Sequence, residues 1–406
     1  MSHRNIVIIY RSSKRDGAVE LHYVEETLRK AQARFDDRRV LTPQIDLEAF
    51  QCRAVVDWID IHIRLDRPSQ HWWINERIEG AHGRKAFVEP AGAGSGGATA
   101  EFRIRLQEPK FQAVRTLLSN LEDAYGFAAA PSIVGIEVSI DFYPRVPGED
   151  DRARMHGVLV RHFFPTTRVL RTNRTWPRFM PGLTKDTDYT VSRNEKDESL
   201  DLGARMSPGM DQAPCYGSTY YVGERNDPRA FWRIQNKVID RQNIAAGTFE
   251  ELSDAEKRIR IEVTLGDHDC REIGLCTFED LRTLKFTNLQ KRFFQFMKPT
   301  FAIIRPGSAG VASMAVRQKV EDFRRQRFLN AGVLGLQIRE DARRELRHAN
   351  LPTIKRRHRL LGSKMPPTNR TGAGDYGTMV AYEELSRMVE RALAELQRRV
   401  RGEMGV

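Results

Sequence analysis

The chain has 406 residues, 40% hydrophobic and 30% charged, with a formal net charge of +12 at pH 7. That length accommodates two domains, or one large domain with appendages, and the composition is that of a folded chain. No apolar run approaches a membrane span, the N-terminus lacks a secretory pattern, and Cys52, Cys215, Cys270 and Cys276 show no C-x-x-C spacing. The sequence therefore predicts a cytoplasmic chain with no membrane partner, no zinc site and no disulfide framework. The basic excess favours a polyanionic partner, most simply nucleic acid.

Residues 1–50 read as an accessory unit. Asn5 to Tyr10 is a short buried-type strand, and Leu28, Ala31 and Phe35 fall at helical spacing within Tyr23 to Arg39. The core is expected over 51–305. In Val56 to Leu65, alternation puts Ile59, Ile61, Ile63 and Leu65 on an apolar face and Asp60, His62 and Arg64 on a polar one. Lys85 to Val88 and Glu101 to Leu106 are further strands around the glycine-rich loop 91–100, which lacks the Gly-Lys-Ser/Thr of a phosphate loop. Lys110 to Tyr125 is a helix turning Val114, Leu117, Leu118 and Leu121 inward. Ile133 to Phe142 is a strand with Glu137, Ser139 and Asp141 on one face. Carboxylates at such positions can share a divalent cation, or stand as exposed acids balancing nearby arginines.

Gly157 to Phe164 reads as a strand opening a second half of the core, and 177–208 as a polar insertion. Ser192-Arg193 and Arg171-Thr172-Asn173-Arg174 offer contacts to a phosphate backbone, or plain surface polarity. Ser218 to Val222 and Phe231 to Lys237 form a hairpin around a Gly/Asn/Asp/Pro turn, with Arg233, Gln235 and Lys237 on one face and Trp232 and Ile234 on the other. Arg258, Arg260, Glu262 and Thr264 repeat that pattern over Ile259, Ile261, Val263 and Leu265. Thr277 to Met297 is a helical stretch whose Phe286, Phe293, Phe294 and Phe296 suit a core better than stacking on bases. Strands, a helix and more strands predict an α+β fold, a mostly antiparallel sheet with packed helices.

A basic helical region follows over 306–406, with a linker near 364–375. Lys319, Arg324, Arg325 and Arg327 form one cluster and Lys355, Arg356, Arg357 and Arg359 another. Such clusters grip phosphates without reading sequence, or serve as solvated faces. Tyr382, Leu385, Val389, Ala392 and Leu396 make an amphipathic helix suited to docking or to a homodimer.

Four pieces in order now carry a family resemblance: Ile136 to Phe142, Tyr221-Val222-Gly223, Arg233-Ile234-Gln235-Asn236-Lys237, and Arg260-Ile261-Glu262-Val263-Thr264-Leu265. They resemble the signature of the replication initiation factors, the Rep-trans family of plasmid and phage rolling-circle initiators and related relaxases. That signature is an acidic strand ending in Asp-Phe, a Tyr-x-Gly hairpin, Arg-Ile-Tyr-Asp-Lys, and an Arg-x-Glu-hydrophobic-x-Leu strand. The match spans roughly Val55 to Phe293.

The resemblance implies a core of two related sheet-and-helix halves, with DNA, single- and double-stranded, as partner. It implies a divalent cation, Mg²⁺ or Mn²⁺, at Glu137, Asp141 and Glu262, with His62 as a possible further ligand or merely hydrogen-bonded. Arg233 and Lys237 would neutralise the scissile phosphate. A tyrosine would nick and rejoin one strand through a phosphotyrosine link. One departure stands out: the family's tyrosine between Ile234 and Asn236 is Gln235. Tyr220 and Tyr221 are the nearest substitutes, and alternation sends them to opposite faces, so at most one can serve. Tyr216 and Tyr143 stand further off. Two functions follow: a nickase with a displaced tyrosine, or a catalytically silent origin-binding protein that recruits replication proteins such as a helicase. A basic RNA-binding or structural protein is the reading that dispenses with the resemblance.

Overall fold

The computed structural model describes residues 2–12, 15–28, 35–82, 86–91, 98–165, 170, 172, 175–180, 206–209, 214, 216–224, 229–243, 248–305, 311–362 and 379–405. Arg171, Asn173, Arg174, Ser192, Arg193, most of the 91–100 loop and the linker near 364–375 lie outside the described residues.

A hairpin of β1 (Ser2–Ser12) and β2 (Arg15–Thr27) opens the chain and is extended by β3 (Arg38–Pro43). The helix expected from Tyr23 does not start there. Val19, Leu21 and Tyr23 are buried at every second position, and that period carries the chain on to Thr27 as a strand.

Next come β4 (Phe50–Gln70), α1 (His71–His82), β5 (Phe87–Pro90), β6 (Ala98–Gln107), α2 (Phe111–Tyr125) and β7 (Phe127–Pro144). The helix α3 (Glu149–His162) leads to β8 (Arg178–Met180), β9 (Thr219–Val222) and β10 (Phe231–Lys237). A small ribbon of β11 (Ile239–Asn243) and β12 (Thr248–Glu251) precedes β13 (Arg258–Gly266). Short helices α4 (Asp267–Glu272) and α5 (Asn288–Phe293) then lead to β14 (Met297–Ala302). The chain closes with α6 (Val311–Leu360), β15 (Met379–Ala381) and α7 (Glu383–Glu403).

Eight strands form one antiparallel sheet in the order β5-β6-β4-β7-β13-β10-β9-β8. Strands preceding α3 occupy one side and those following it the other, so β7 and β13 meet at the centre. The α+β class and the antiparallel sheets are as expected.

Gly157 to Phe164 is not a strand; it is the second half of α3 and the residues that end it. This helix begins with Glu149, Asp150 and Asp151 and carries Arg161 in its last turn, complementing its dipole at both ends. It runs between the apolar face of the large sheet and the N-terminal sheet, where a Cβ on Gly157 would come 2.6 Å from Ile8 Cδ1. A helix buried all round shows no amphipathic stripe, so its apolar run imitates a buried strand.

Thr277 to Met297 is likewise not one helix. It forms a single 3₁₀ turn at Phe278–Arg282, then α5, and ends in β14. Phe286, Phe293, Phe294 and Phe296 are core residues.

The three sequence blocks interlock. A five-stranded sheet, β1-β2-β3-β14-β15, draws strands from all of them, and one contiguous core runs from Ile6 to Met404. The helix α6 breaks at Gly332, where φ is 66° and a Cβ would lie 2.7 Å from the Cα of Arg161. Arg161 Nε donates to the Leu329 carbonyl at 2.7 Å, satisfying an acceptor left open by the break. Of docking and self-association, the two uses read from its amphipathic pattern, α7 shows docking within the chain: Leu385, Val389, Leu393 and Leu396 pack next to β4 and α2. Glu403 Oε2 accepts from the Phe111 amide at 2.8 Å and caps α2. Among the described residues, no helix is long and apolar enough to cross a membrane.

Candidate functional site

The large sheet has one apolar and one polar face. Trp232, Ile234, Ile259, Ile261, Val263, Val138, Ile140 and Phe142 are no more than 1% exposed on the first. On the second, cross-strand register aligns Ser139, Glu262, Arg233 and Tyr221 in one row over β7, β13, β10 and β9. The neighbouring row aligns Arg53, Asp141, Arg260 and Gln235, and Lys237 lies opposite Arg258. The parity read from the hairpin and from the Glu262 strand is therefore observed.

A residue that alternation hides completes this face. Against β7, Val56 pairs with Val138 and Trp58 with Glu137, so Asp57 is the extra residue of a bulge. Before the bulge Ala54 and Val56 are buried; after it Ile59 and Ile61 are. The side-chain parity flips at Asp57, and its carboxylate joins the polar face beside Trp58. Counted in steps of two from Ile59, Asp57 would fall on the apolar side. The available signal was that one acid sat in an otherwise apolar register.

Asp57, Glu137 and Glu262 each place a carboxylate oxygen within 4.8 Å of the others. Arg260 Nη1 donates to Asp57 at 2.9 Å, and Ser139 also donates to Asp57. Thr264 Oγ1 donates to Glu137 at 2.6 Å. Arg233 bridges the other two acids, pairing closely with Glu262 and at 3.8 Å with Glu137, while Gln235 Nε2 donates to Glu262 at 3.1 Å.

Asp141 is not part of this cluster. It accepts from Arg260 Nε at 2.6 Å and Nη2 at 2.7 Å and pairs with Arg258 at 3.2 Å. Burial pulls the Arg260 guanidinium down, but its bonds to Asp141 and the charges of Asp141 and Asp57 outweigh that and raise its pKa. His62 is also elsewhere: its Nε2 lies 3.8 Å from Glu101, and it stands opposite Arg103. Of the four residues expected to hold a cation, Glu137 and Glu262 therefore lie together with Asp57, while Asp141 and His62 lie apart from them.

Hard oxygen donors at this spacing suit Mg²⁺ or Mn²⁺. Four carboxylates (Asp57, Glu137, Asp141, Glu262) are ion-paired with three guanidiniums (Arg233, Arg258, Arg260) on this face. Arg233 is the movable partner, with its side chain 34% exposed against 6% for Arg260.

The two hairpin tyrosines separate as alternation requires. Tyr220 is fully buried on the apolar face, and burial raises its phenol pKa, so it cannot meet a phosphate on the polar face. Tyr221 is on the polar face opposite Arg233, its ring stacked on Phe231 at 5.7 Å with Arg178 5.4 Å above it. Tyr216 is buried and accepts from Arg152 Nε at 3.3 Å. Tyr143 donates to Asp141 at 3.3 Å, and burial with the Asp141 charge pushes it up to about 12.

The basic clusters of α6 also divide. Arg324, Arg325 and Arg327 are 7%, 5% and 0% exposed and cannot grip DNA. Arg325 Nε donates to Glu25 of β2 at 2.8 Å, Arg324 pairs with Glu321 at 2.9 Å, and Arg327 donates to the Gly335 carbonyl at 3.2 Å. They staple α6 to the N-terminal sheet and to itself across the break. Lys355, Arg356, Arg357 and Arg359 are exposed on the far end of the helix, where no described side chain beyond Ile338 is buried.

Comparison with models of known protein families and with curated proteins found no match to this chain.

Proposed function

We propose that this chain is a replication-initiator-like DNA-binding protein. In this reading the polar face of the large sheet holds one DNA strand, Asp57, Glu137 and Glu262 take Mg²⁺ or Mn²⁺, and Tyr221 nicks and rejoins that strand. The observation that carries it is the single cross-strand row of Glu262, Arg233 and Tyr221, with the other two carboxylates beside it. A bound cation would polarise the scissile phosphate. Arg233, released from Glu137 and Glu262, would turn to a phosphate oxygen. The Tyr221 oxygen would attack phosphorus as the bond to the departing strand breaks, and the phosphotyrosine would retain one ester for rejoining.

A second reading, a silent origin-binding protein that recruits a helicase or other replication proteins, is favoured by Gln235. Its amide holds Glu262 where the family signature has a phenol, and Arg233 closes the carboxylates against one another.

Supercoiled DNA carrying the origin region, incubated with the protein and Mg²⁺ or Mn²⁺, separates the two. Relaxed circles and a covalent adduct mapped to Tyr221, absent in Tyr221→Phe, support nicking. Origin binding with no adduct under either metal leaves the silent reading.

A further inference from the structure

Beyond the carboxylates, the same face carries an aromatic and cationic ledge. Phe87 on the edge strand β5 stands opposite Arg105 on β6, and Arg105 stands opposite Asp60 on β4. Phe87 is 63% exposed. The Arg105 guanidinium lies 3.9 Å from the centre of the Trp58 ring, and its Nε and Nη2 each donate to Asp60 at 2.7 Å. Arg103 shares Asp60 as well and stands opposite Glu89 of β5, so one fully buried carboxylate holds two guanidiniums at the ledge. Trp58 in turn stands opposite Glu137, which brings the ledge to the margin of the carboxylate cluster.

An exposed phenylalanine on an edge strand is an aggregation liability that edges normally avoid with charge or proline. Here it continues a flat guanidinium already laid on an indole. Neighbouring strands set such groups roughly 4.8 Å apart, and aromatic side chains presented on a sheet face are a recurrent support for unpaired bases. Planar cations add stacking and phosphate contact together. Guanidiniums and an exposed phenyl ring on one surface complement a single strand, whose bases are free to stack; in a duplex the base faces are covered by neighbours.

We propose that the Phe87–Arg105–Trp58 ledge binds unpaired bases of a single DNA strand beside the Asp57/Glu137/Glu262 cluster. The proposal rests on the reading that this face binds DNA.

The test compares wild type, Phe87→Ala and Phe87→Trp by fluorescence anisotropy with a labelled single-stranded oligonucleotide and its duplex. Phe87 is exposed, so its removal spares the core. Loss of one base stack is expected to weaken single-strand binding roughly five- to 150-fold, with duplex binding unchanged and the tryptophan variant restored. Equal single-strand affinity in wild type and Phe87→Ala would overturn the ledge and leave the DNA reading standing. A wild type that binds neither oligonucleotide would overturn both. Tight binding of the matching RNA strand with none of the DNA strand would overturn the assignment to DNA.

Discussion

Arg260 and Asp141 face each other directly across the central β13–β7 pair and are joined by two hydrogen bonds, Nε to Oδ1 at 2.6 Å and Nη2 to Oδ2 at 2.7 Å. This bidentate pair is almost wholly buried, and its remaining Nη1 reaches the bulge residue Asp57 at 2.9 Å. One guanidinium thereby fixes both the centre of the sheet and the position of a candidate ligand. Arg260→Met leaves the buried Asp141 with Arg258 alone and takes a donor from Asp57, and is expected to cost about 3 kcal/mol. The double variant with Asp141→Leu is expected to recover only part of that loss, because it takes the Asp141 carboxylate from Arg258 and still leaves Asp57 without Arg260. Urea unfolding of the single and double variants checks both statements.

Cation binding should report which acids belong to the site. Glu262→Gln and Asp57→Asn are expected to weaken Mn²⁺ binding by tenfold or more, on the order of 1.4 kcal/mol. His62→Gln, remote along β4, is expected to leave it unchanged. Titration of Mn²⁺ followed by electron paramagnetic resonance reads free against bound metal without any DNA. Loss of binding in His62→Gln would restore the ligand set expected from the family resemblance.

Position 235 offers a gain-of-function experiment. Gln235 is half-buried and its amide already reaches Glu262, so a phenol there would meet the carboxylate cluster. Gln235→Tyr combined with Tyr221→Phe is expected to form a covalent adduct at position 235 on origin DNA with Mn²⁺. Gel retardation under denaturing conditions, followed by peptide mapping, decides it.

Acid should destabilise the fold in a particular window. His156 and His162 are buried and neutral, and burial lowers each from 6.5 to about 3. His162 Nδ1 donates to the Met297 carbonyl at 2.7 Å, which leaves Nε2 to accept from the Tyr23 hydroxyl at 3.1 Å. The unfolded chain takes up these protons and the folded chain does not. Their stabilisation is present above pH 6.5 and lost as pH falls toward 3. Each contributes a slope of about 1.4 kcal/mol per pH unit in that range. Unfolding free energies between pH 6 and 5, above most carboxylate titration, isolate the effect.

The two arginine clusters of α6 should behave oppositely. Changing Lys355, Arg356, Arg357 and Arg359 together to Gln is expected to spare stability and weaken duplex binding. The slope of log affinity against log salt should fall by about 3–4. Arg325→Gln leaves the buried Glu25 with only the longer contact to Arg39 at 3.5 Å and is expected to cost about 2–3 kcal/mol. Thermal melts and salt-dependent anisotropy separate the two outcomes.

Much of the sheet was legible because its information is local. Alternation over Ile59 to Leu65, Ile136 to Phe142, Phe231 to Lys237 and Ile259 to Leu265 places those strands and both of their faces correctly. It also sends Tyr220 and Tyr221 to opposite sides, a consequence of backbone geometry alone. What alternation cannot carry is a break in its own period. The bulge at Asp57 adds one residue against β7, and only the paired strand reveals it.

Burial by distant segments was equally invisible. Nothing within Gly157 to Phe164 announces that two sheets will close on it, so a helix apolar on every side reads as a strand. Arg324, Arg325 and Arg327 have the composition of a phosphate grip, and Glu25, some 300 positions away, makes Arg325 a staple. Local pattern was enough for the class of fold, for the faces of these four strands and for which side of the sheet is polar. Which acids meet, which tyrosine lies on the polar face and which arginines are buried in ion pairs emerged from folding alone, because each depends on partners that arrive from elsewhere in the chain.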